Sequence, residues 1–276
     1  MKKKILASIL LSAIALFMIA CGYSESSSES SDLRNDSSSE LTESSAPERN
    51  DNISEQPESS ASELTDNQSQ EQKEASCEIT YISAKAYTNS IGTPYVQVIV
   101  EIENTGTTDL YLSSGSYDLE DADGNLLASN SMVSTYPTVI SPGEKAYMYD
   151  EDMMDEPVSG EIVVKPRPNV KIAQVENIRY NISDVNISAD KYGRLKAIGR
   201  IENGTNENAD GMIYIVFILK DAGGNPIGQI FTILMDDLAA GDKIGFEATE
   251  TMLPNDVTAE SVASYEVFAY PMQIQF

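Results

Sequence analysis

The sequence predicts an all-β protein in which two tandem antiparallel β-sandwiches follow an N-terminal leader and a tether. Three observations carry this expectation. Residues 77–276 place Val, Ile and Tyr in short runs, and Gly, Asn, Asp or Pro interrupt them at roughly the eight-to-twelve-residue spacing of sandwich or barrel strands. The motifs in this region come round twice at a nearly constant offset. Upstream of residue 77 the composition changes abruptly to one that cannot build a core.

The leader comes first. Lys2, Lys3 and Lys4 precede an apolar run from Ile5 to Ile19, with small Ala20 directly before Cys21, the order of a secretory signal. The run is shorter than the roughly 20 residues of a spanning helix and has no basic stop-transfer flank, so cleavage is expected. Met18-Ile19-Ala20-Cys21 resembles the bacterial lipobox, with Met18 in the place of the usual leucine. That resemblance implies a signal peptide over residues 1–20 and a diacylglyceryl group on the Cys21 thiol. Cys21 then becomes the first, acylated residue of the mature chain, and two acyl chains suffice for a stable anchor.

From Gly22 to Ser76 the chain has 17 serines, 14 acidic residues, three basic residues and one aromatic, Tyr23. Such a segment buries too little apolar surface to offset chain entropy, so residues 21–76 read as a lipidated cysteine and disordered tether. As a flexible coil it spans about 40 Å. Only Cys77 is left as a thiol once Cys21 is acylated, and with no histidine in the chain to activate it, it reads as a small residue at the edge of the first strand. The domains therefore hold together without an internal disulfide.

The repeat sets the domain organisation. Ile79-Thr80-Tyr81 aligns with Ile178-Arg179-Tyr180, and Ile102-Glu103-Asn104 with Ile201-Glu202-Asn203. Asp121-Ala122-Asp123-Gly124-Asn125 meets Asp221-Ala222-Gly223-Gly224-Asn225, and Pro142-Gly143-Glu144-Lys145 meets Ala240-Gly241-Asp242-Lys243. Ser159–Pro166 and Ser264–Pro271 close the match. Two copies of one sandwich are expected, over residues 77–168 and 169–276, with Pro166-Arg167-Pro168 as a stiff connector. Within the first copy, Val96, Val98, Val100 and Ile102 alternate as the buried side of a strand. Residues 212–219 of the second are apolar throughout, as in a strand covered on both faces or one placed between domains. Asp123-Gly124 and Gly223-Gly224-Asn225 supply the positive φ of tight hairpin turns.

Gly199 and Asn203, then Phe217, Leu219 and Asp221, then Leu238 and Gly241 give the second copy a pattern that resembles the FxLYD domain. Lys220 stands where that family has tyrosine. The first copy is more remote, with Tyr117-Asp118-Leu119-Glu120-Asp121 and Ser141-Pro142-Gly143-Glu144 in the matching places. The resemblance implies an immunoglobulin-like sandwich displayed on surface lipoproteins of Gram-positive bacteria. It implies nothing specific about a ligand, because fold does not determine function.

Catalytic groups are sparse. The chain has no His, no cysteine cluster, no G-x-S-x-G and no phosphate-binding glycine loop, so no enzyme activity and no cofactor are expected. Asp150, Glu151, Asp152, Asp155 and Glu156 crowd one stretch whose oxygens could serve a structural Ca²⁺, but they lack the spacing and glycine of an EF-hand and read as a solvated acidic loop. The turn with Asp118, Glu120, Asp121 and Asp123 has the same weakness. Of the twelve basic residues after position 76, eight lie between 165 and 200: Lys165, Arg167, Lys171, Arg179, Lys191, Arg194, Lys196 and Arg200. That band could meet an anionic wall polymer, or simply pair with acids on neighbouring strands. A net charge of −26 argues against nucleic acid and favours cations or basic partners. The sequence thus leads to a lipid-anchored module on the extracytoplasmic face of a bacterial membrane, binding or scaffolding an envelope protein or wall component without catalysis. The alternative is a ligand- or ion-binding receptor serving a transporter or sensor, which requires a pocket with convergent polar groups.

Overall fold

The computed structural model describes residues 74–250 and 252–275, so the leader, Cys21 and the tether lie outside the described residues. Fourteen strands and no helix make up the described part of the compact unit Asp66–Phe276. The first eight are β1 (Cys77–Thr88), β2 (Pro94–Asn104), β3 (Leu110–Asp121), β4 (Leu126–Val133), β5 (Thr135–Tyr136), β6 (Val139–Ile140), β7 (Lys145–Met153) and β8 (Ile162–Ile172). The remaining six are β9 (Asn181–Ala189), β10 (Leu195–Glu202), β11 (Ile213–Lys220), β12 (Pro226–Leu234), β13 (Lys243–Thr249) and β14 (Ser264–Pro271).

Every pairing between these strands is antiparallel, and the pairings repeat. In the first sandwich β2 lies between β1 and β7, while β3 lies between β8 and the strands β4 and β6. In the second, β10 lies between β9 and β13, and β11 between β12 and β14. Each pair of sheets encloses its own core. Val96, Val98, Val100 and Ile102 meet Leu110, Leu112, Tyr117 and Leu119 in the first, and Ala197 and Ile201 meet Ile213, Ile215, Phe217 and Leu219 in the second.

The repeated motifs are the joints of this fold. Asn104 and Asn203 are fully buried, and each donates its side-chain amide to two main-chain carbonyls: Thr108 and Ile140 in one copy, Glu207 and Leu238 in the other. Their Oδ1 atoms accept the N–H of Gly106 and Thr205. Gly143 and Gly241, both at φ 81°, donate their N–H to the same two asparagines' carbonyls, which ties the E-N and P-G-E-type motifs together. Gly199 is fixed by packing rather than by its φ, since a Cβ there would lie 2.7 Å from the Phe246 ring.

Tight turns follow one design four times. At 89–93, 121–125, 190–194 and 221–225 an Asn or Asp side-chain oxygen accepts the N–H groups two and four residues on, and the fourth residue is glycine at positive φ. An Asx side chain stands in for backbone acceptors here, which is why the pattern holds while the intervening residues vary.

Two expectations need correction. Pro166-Arg167-Pro168 is not a connector but the middle of β8, with Pro166 opposite Tyr117 and Arg167 opposite Ser116. An edge strand tolerates proline because its missing donor can face outward. The link between sandwiches is residues 173–180. Likewise β2 is covered on both faces: between its core residues, Gln97, Ile99 and Glu101 are only 2 %, 1 % and 5 % exposed.

Candidate functional site

The second covered face of β2 belongs to a seam between the sandwiches. Ile99 and Tyr147 pack against Val216, Ile218 and Tyr270, with Tyr136, Tyr149, Tyr214, Phe231 and Phe268 around them. Tyr214 and Phe231 lie 5.5 Å apart and Tyr214 and Tyr270 5.7 Å apart, within the range of favourable ring contacts. Residues 212–219 thus fill both expected roles: Phe217 and its neighbours of like parity face the second core, and Val216 and Ile218 face the seam.

Two clusters of polar side chains lie on this seam. At one, the Tyr147 hydroxyl sits 2.9 Å from Glu101 Oε2 and 2.7 Å from Glu266 Oε2, a donor shared by a carboxylate from each sandwich. Lys145 and Thr80 also donate to Glu101, at 2.6 Å and 2.7 Å, and Lys220 donates to Glu266. Burial raises the Glu101 pKa, but hydrogen bonds from Lys145, Thr80 and Tyr147 more than offset it and leave the carboxyl below its ordinary range. Both carboxylates thus have a cation, and the hydroxyl joins them.

At the other place the carboxylate has no cation. Gln97 donates to the Tyr149 hydroxyl at 3.0 Å, and that hydroxyl donates to Glu151 Oε1 at 2.7 Å. Burial, with smaller contributions from Glu250 and Asp150, pushes the Glu151 carboxyl up to about 8. Gln229 is 5 % exposed on the facing strand, and its Oε1 has no hydrogen-bond partner. These groups border a cleft of about 370 Å³ lined by Met132, Ser134, Tyr136, Tyr149, Asp150, Glu151, Gln229 and Met252. A second cleft on the seam, about 220 Å³, is lined by Tyr111, Tyr136, Tyr214 and several hydroxyl side chains.

The acidic stretch is therefore not a loop. Residues 149–153 lie in β7, so Asp150 and Asp152 fall on the opposite side from Glu151. Asp150 accepts Tyr117 and Asn130, both at 2.6 Å, and Asp152 is raised above its ordinary value by burial and by Asp150. Asp155 and Glu156 are exposed in the segment after the strand. Among the described residues no three His, Cys, Asp or Glu side chains converge as a metal would need. Asp121 instead organises a turn, and Asp118 holds Arg167.

The basic residues are spread over several strands. Arg167 makes a bidentate pair with Asp118 at 2.7 Å and 2.9 Å, and Lys165 lies 3.8 Å from Glu120. Arg194 pairs with Asp190, Lys196 with Glu247 and Arg200 with Asp184. Arg179 donates to the Val139 carbonyl, lies 3.6 Å from Glu144 and stands over the Tyr270 ring, which makes it a seam residue. Lys191 lies over Tyr192, and Lys171 is exposed on β8. Cys77 opens β1 and packs against the first core, and burial pushes its thiol up.

Gln97, Glu101, Gln229 and Glu266 do not stand out in the sequence. Their one signal is indirect: Ile99, Val216 and Ile218 add a second apolar side to strands whose core side is already complete. No protein-family model and no curated protein matches the chain.

Proposed function

We propose that the chain is a lipid-anchored protein of the bacterial cell envelope whose two sandwiches act as a non-catalytic binding or scaffolding module. The seam carries the reading. Side chains from both sandwiches fill it, and Tyr147 ties a carboxylate of each, which favours a fixed display surface over two lobes that close on a ligand. The lipobox-like Met18–Cys21 and the Ser/Glu-rich residues after it support an anchor and a spacer, and the FxLYD-like pattern supports display outside the membrane. Acidic side chains of the kind that could do chemistry are instead engaged in turns, ion pairs and the seam.

Two measurements test it. Fatty-acid labelling should disappear in Cys21→Ser; unchanged labelling removes the anchor from the proposal. The chain used as bait should retain one membrane protein, or purified wall, in a saturable way, and absence of retention from both fractions overturns the scaffold. A receptor role remains the second reading, favoured by the acidic cleft beside Gln229.

A further inference from the structure

We propose that the cleft between Tyr111, Tyr136, Tyr214 and residues 272–274 is a binding site for one ring of a neutral glycan. The inference deepens the binding reading above, on which it rests, by naming the chemistry of the wall component.

The lining rules out other ligand classes in turn. It holds no Asp, Glu, Lys or Arg, in a chain whose residues are 22 % charged and whose net charge is −26. A charged ligand would leave water there with no counter-charge to receive it. A wholly apolar ligand fits no better, because five Ser or Thr residues share the lining and their hydroxyls would lose water without a new partner. Ser113, Ser114 and Tyr214 make no side-chain hydrogen bond among the described residues, so their hydroxyls are open to a ligand.

A sugar ring meets both requirements. Tyr136 and Tyr214 are half-buried, so each keeps part of its ring at the cleft. A tyrosine combines an apolar body with a polar tip, and a pyranose combines apolar C–H faces with a belt of hydroxyls. The volume of the cleft, about 220 Å³, falls below the roughly 300–1,000 Å³ of a drug-sized site and suits a single ring. Exposed Met272 and Ile274 on the rim give the next ring of a chain an apolar surface to lie against.

The cleft is held in shape by the protein itself. Its walls are β3 and residues 134–138 of the first sandwich, and β11 and residues 272–274 of the second. Tyr111 donates its hydroxyl to the Gln273 carbonyl at 3.3 Å, and Met272 donates its N–H to the Met212 carbonyl at 2.8 Å. Gln273 Nε2 donates to the Glu176 carbonyl at 3.1 Å, and Gln275 Nε2 to the Ile172 carbonyl at 2.8 Å. These bonds fasten the chain after β14 to the first sandwich and the linker, so little ordering is left for the ligand to impose.

The test is calorimetric titration of the full chain, in a detergent without a sugar headgroup. The probes are chitotriose and cellotriose, both neutral, trigalacturonate, which is anionic, and cyclohexanol. Saturable binding of a neutral trisaccharide is expected, with neither of the other two probes bound. Ser114→Phe fills the cleft from an exposed position, and Tyr214→Ala removes one ring, so each should weaken binding at least tenfold. Chitotriose alone would assign the site to an acetamido sugar, and cellotriose alone to a sugar read through its hydroxyls. No binding of either neutral sugar, equal binding of trigalacturonate or cyclohexanol, or binding unchanged in Ser114→Phe overturns the site. Sugar binding that fails while the chain still retains purified wall or a membrane protein refutes this site only; failure of both refutes the wider reading as well.

Discussion

Replacing Glu151 with Gln should make the protein more stable in alkaline solution and flatten its dependence on pH. In the folded chain burial holds this carboxyl at about 8, against an ordinary value of 4.5. Between those values the folded state keeps a proton that the unfolded state has lost. Stability contributed by the protonated form is therefore fully present below about pH 4.5 and is lost as pH rises toward 8. At 1.36 kcal/mol for each pH unit the interval sets a ceiling of about 5 kcal/mol. Water in the adjoining cleft screens the charge and leaves about 2–3 kcal/mol as the working figure. Glutamine retains an oxygen to accept the Tyr149 hydroxyl and never ionises, so the variant should escape this loss. Urea unfolding of both proteins at intervals from about pH 5 to about pH 9 measures the difference directly. Parallel stability curves across that range would refute the argument that Glu151 is buried without a cation.

Three other substitutions probe the frame. Asn203→Leu leaves the Glu207 and Leu238 carbonyls and the Thr205 N–H without their buried partner, and a loss of about 3–5 kcal/mol in denaturant unfolding is expected. Tyr147→Phe removes the donor that Glu101 and Glu266 share and should cost about 1.5–3 kcal/mol, a loss that shrinks when Glu266 is already Ala, because only the Glu101 contact is then left to lose. Gly199→Ala forces a methyl against the Phe246 ring and should cost about 1–3 kcal/mol, recovered in part by Phe246→Leu. Equal stability of the single and double variants would show that the ring is not what excludes the methyl.

Much of the frame was legible because local rules decide it. Alternation in Val96–Ile102 marked a strand, and the paired motifs around Asn104 and Asn203 marked a fold used twice. The Asx turns at 89–93 and 190–194 carry the same pattern of Asn or Asp with Gly three residues later as those at 121–125 and 221–225, and are equally readable in the sequence. Pro166 and Pro168 misled because proline interrupts most strands, and only the pairing with β3 reveals an edge. The acidic stretch misled for a related reason: a dense run of carboxylates reads as solvated, whereas β7 sends alternate members to opposite faces and buries Glu151. The seam was the least legible part. Periodicity shows which side of a strand is apolar, but it does not show that a second sandwich covers the polar side as well.

Those same prolines affect how copies of the protein tolerate crowding. An open sheet margin is a template on which another chain can add a strand, and long regular margins invite aggregation. Along the outer margin of β8, Pro166 and Pro168 remove two donors. A second copy presenting its own β8 would find too few donors to complete a ladder. Dense packing side by side is then compatible with the separate, folded state, and restoring ordinary residues at 166 and 168 is the change that would put that separation at risk.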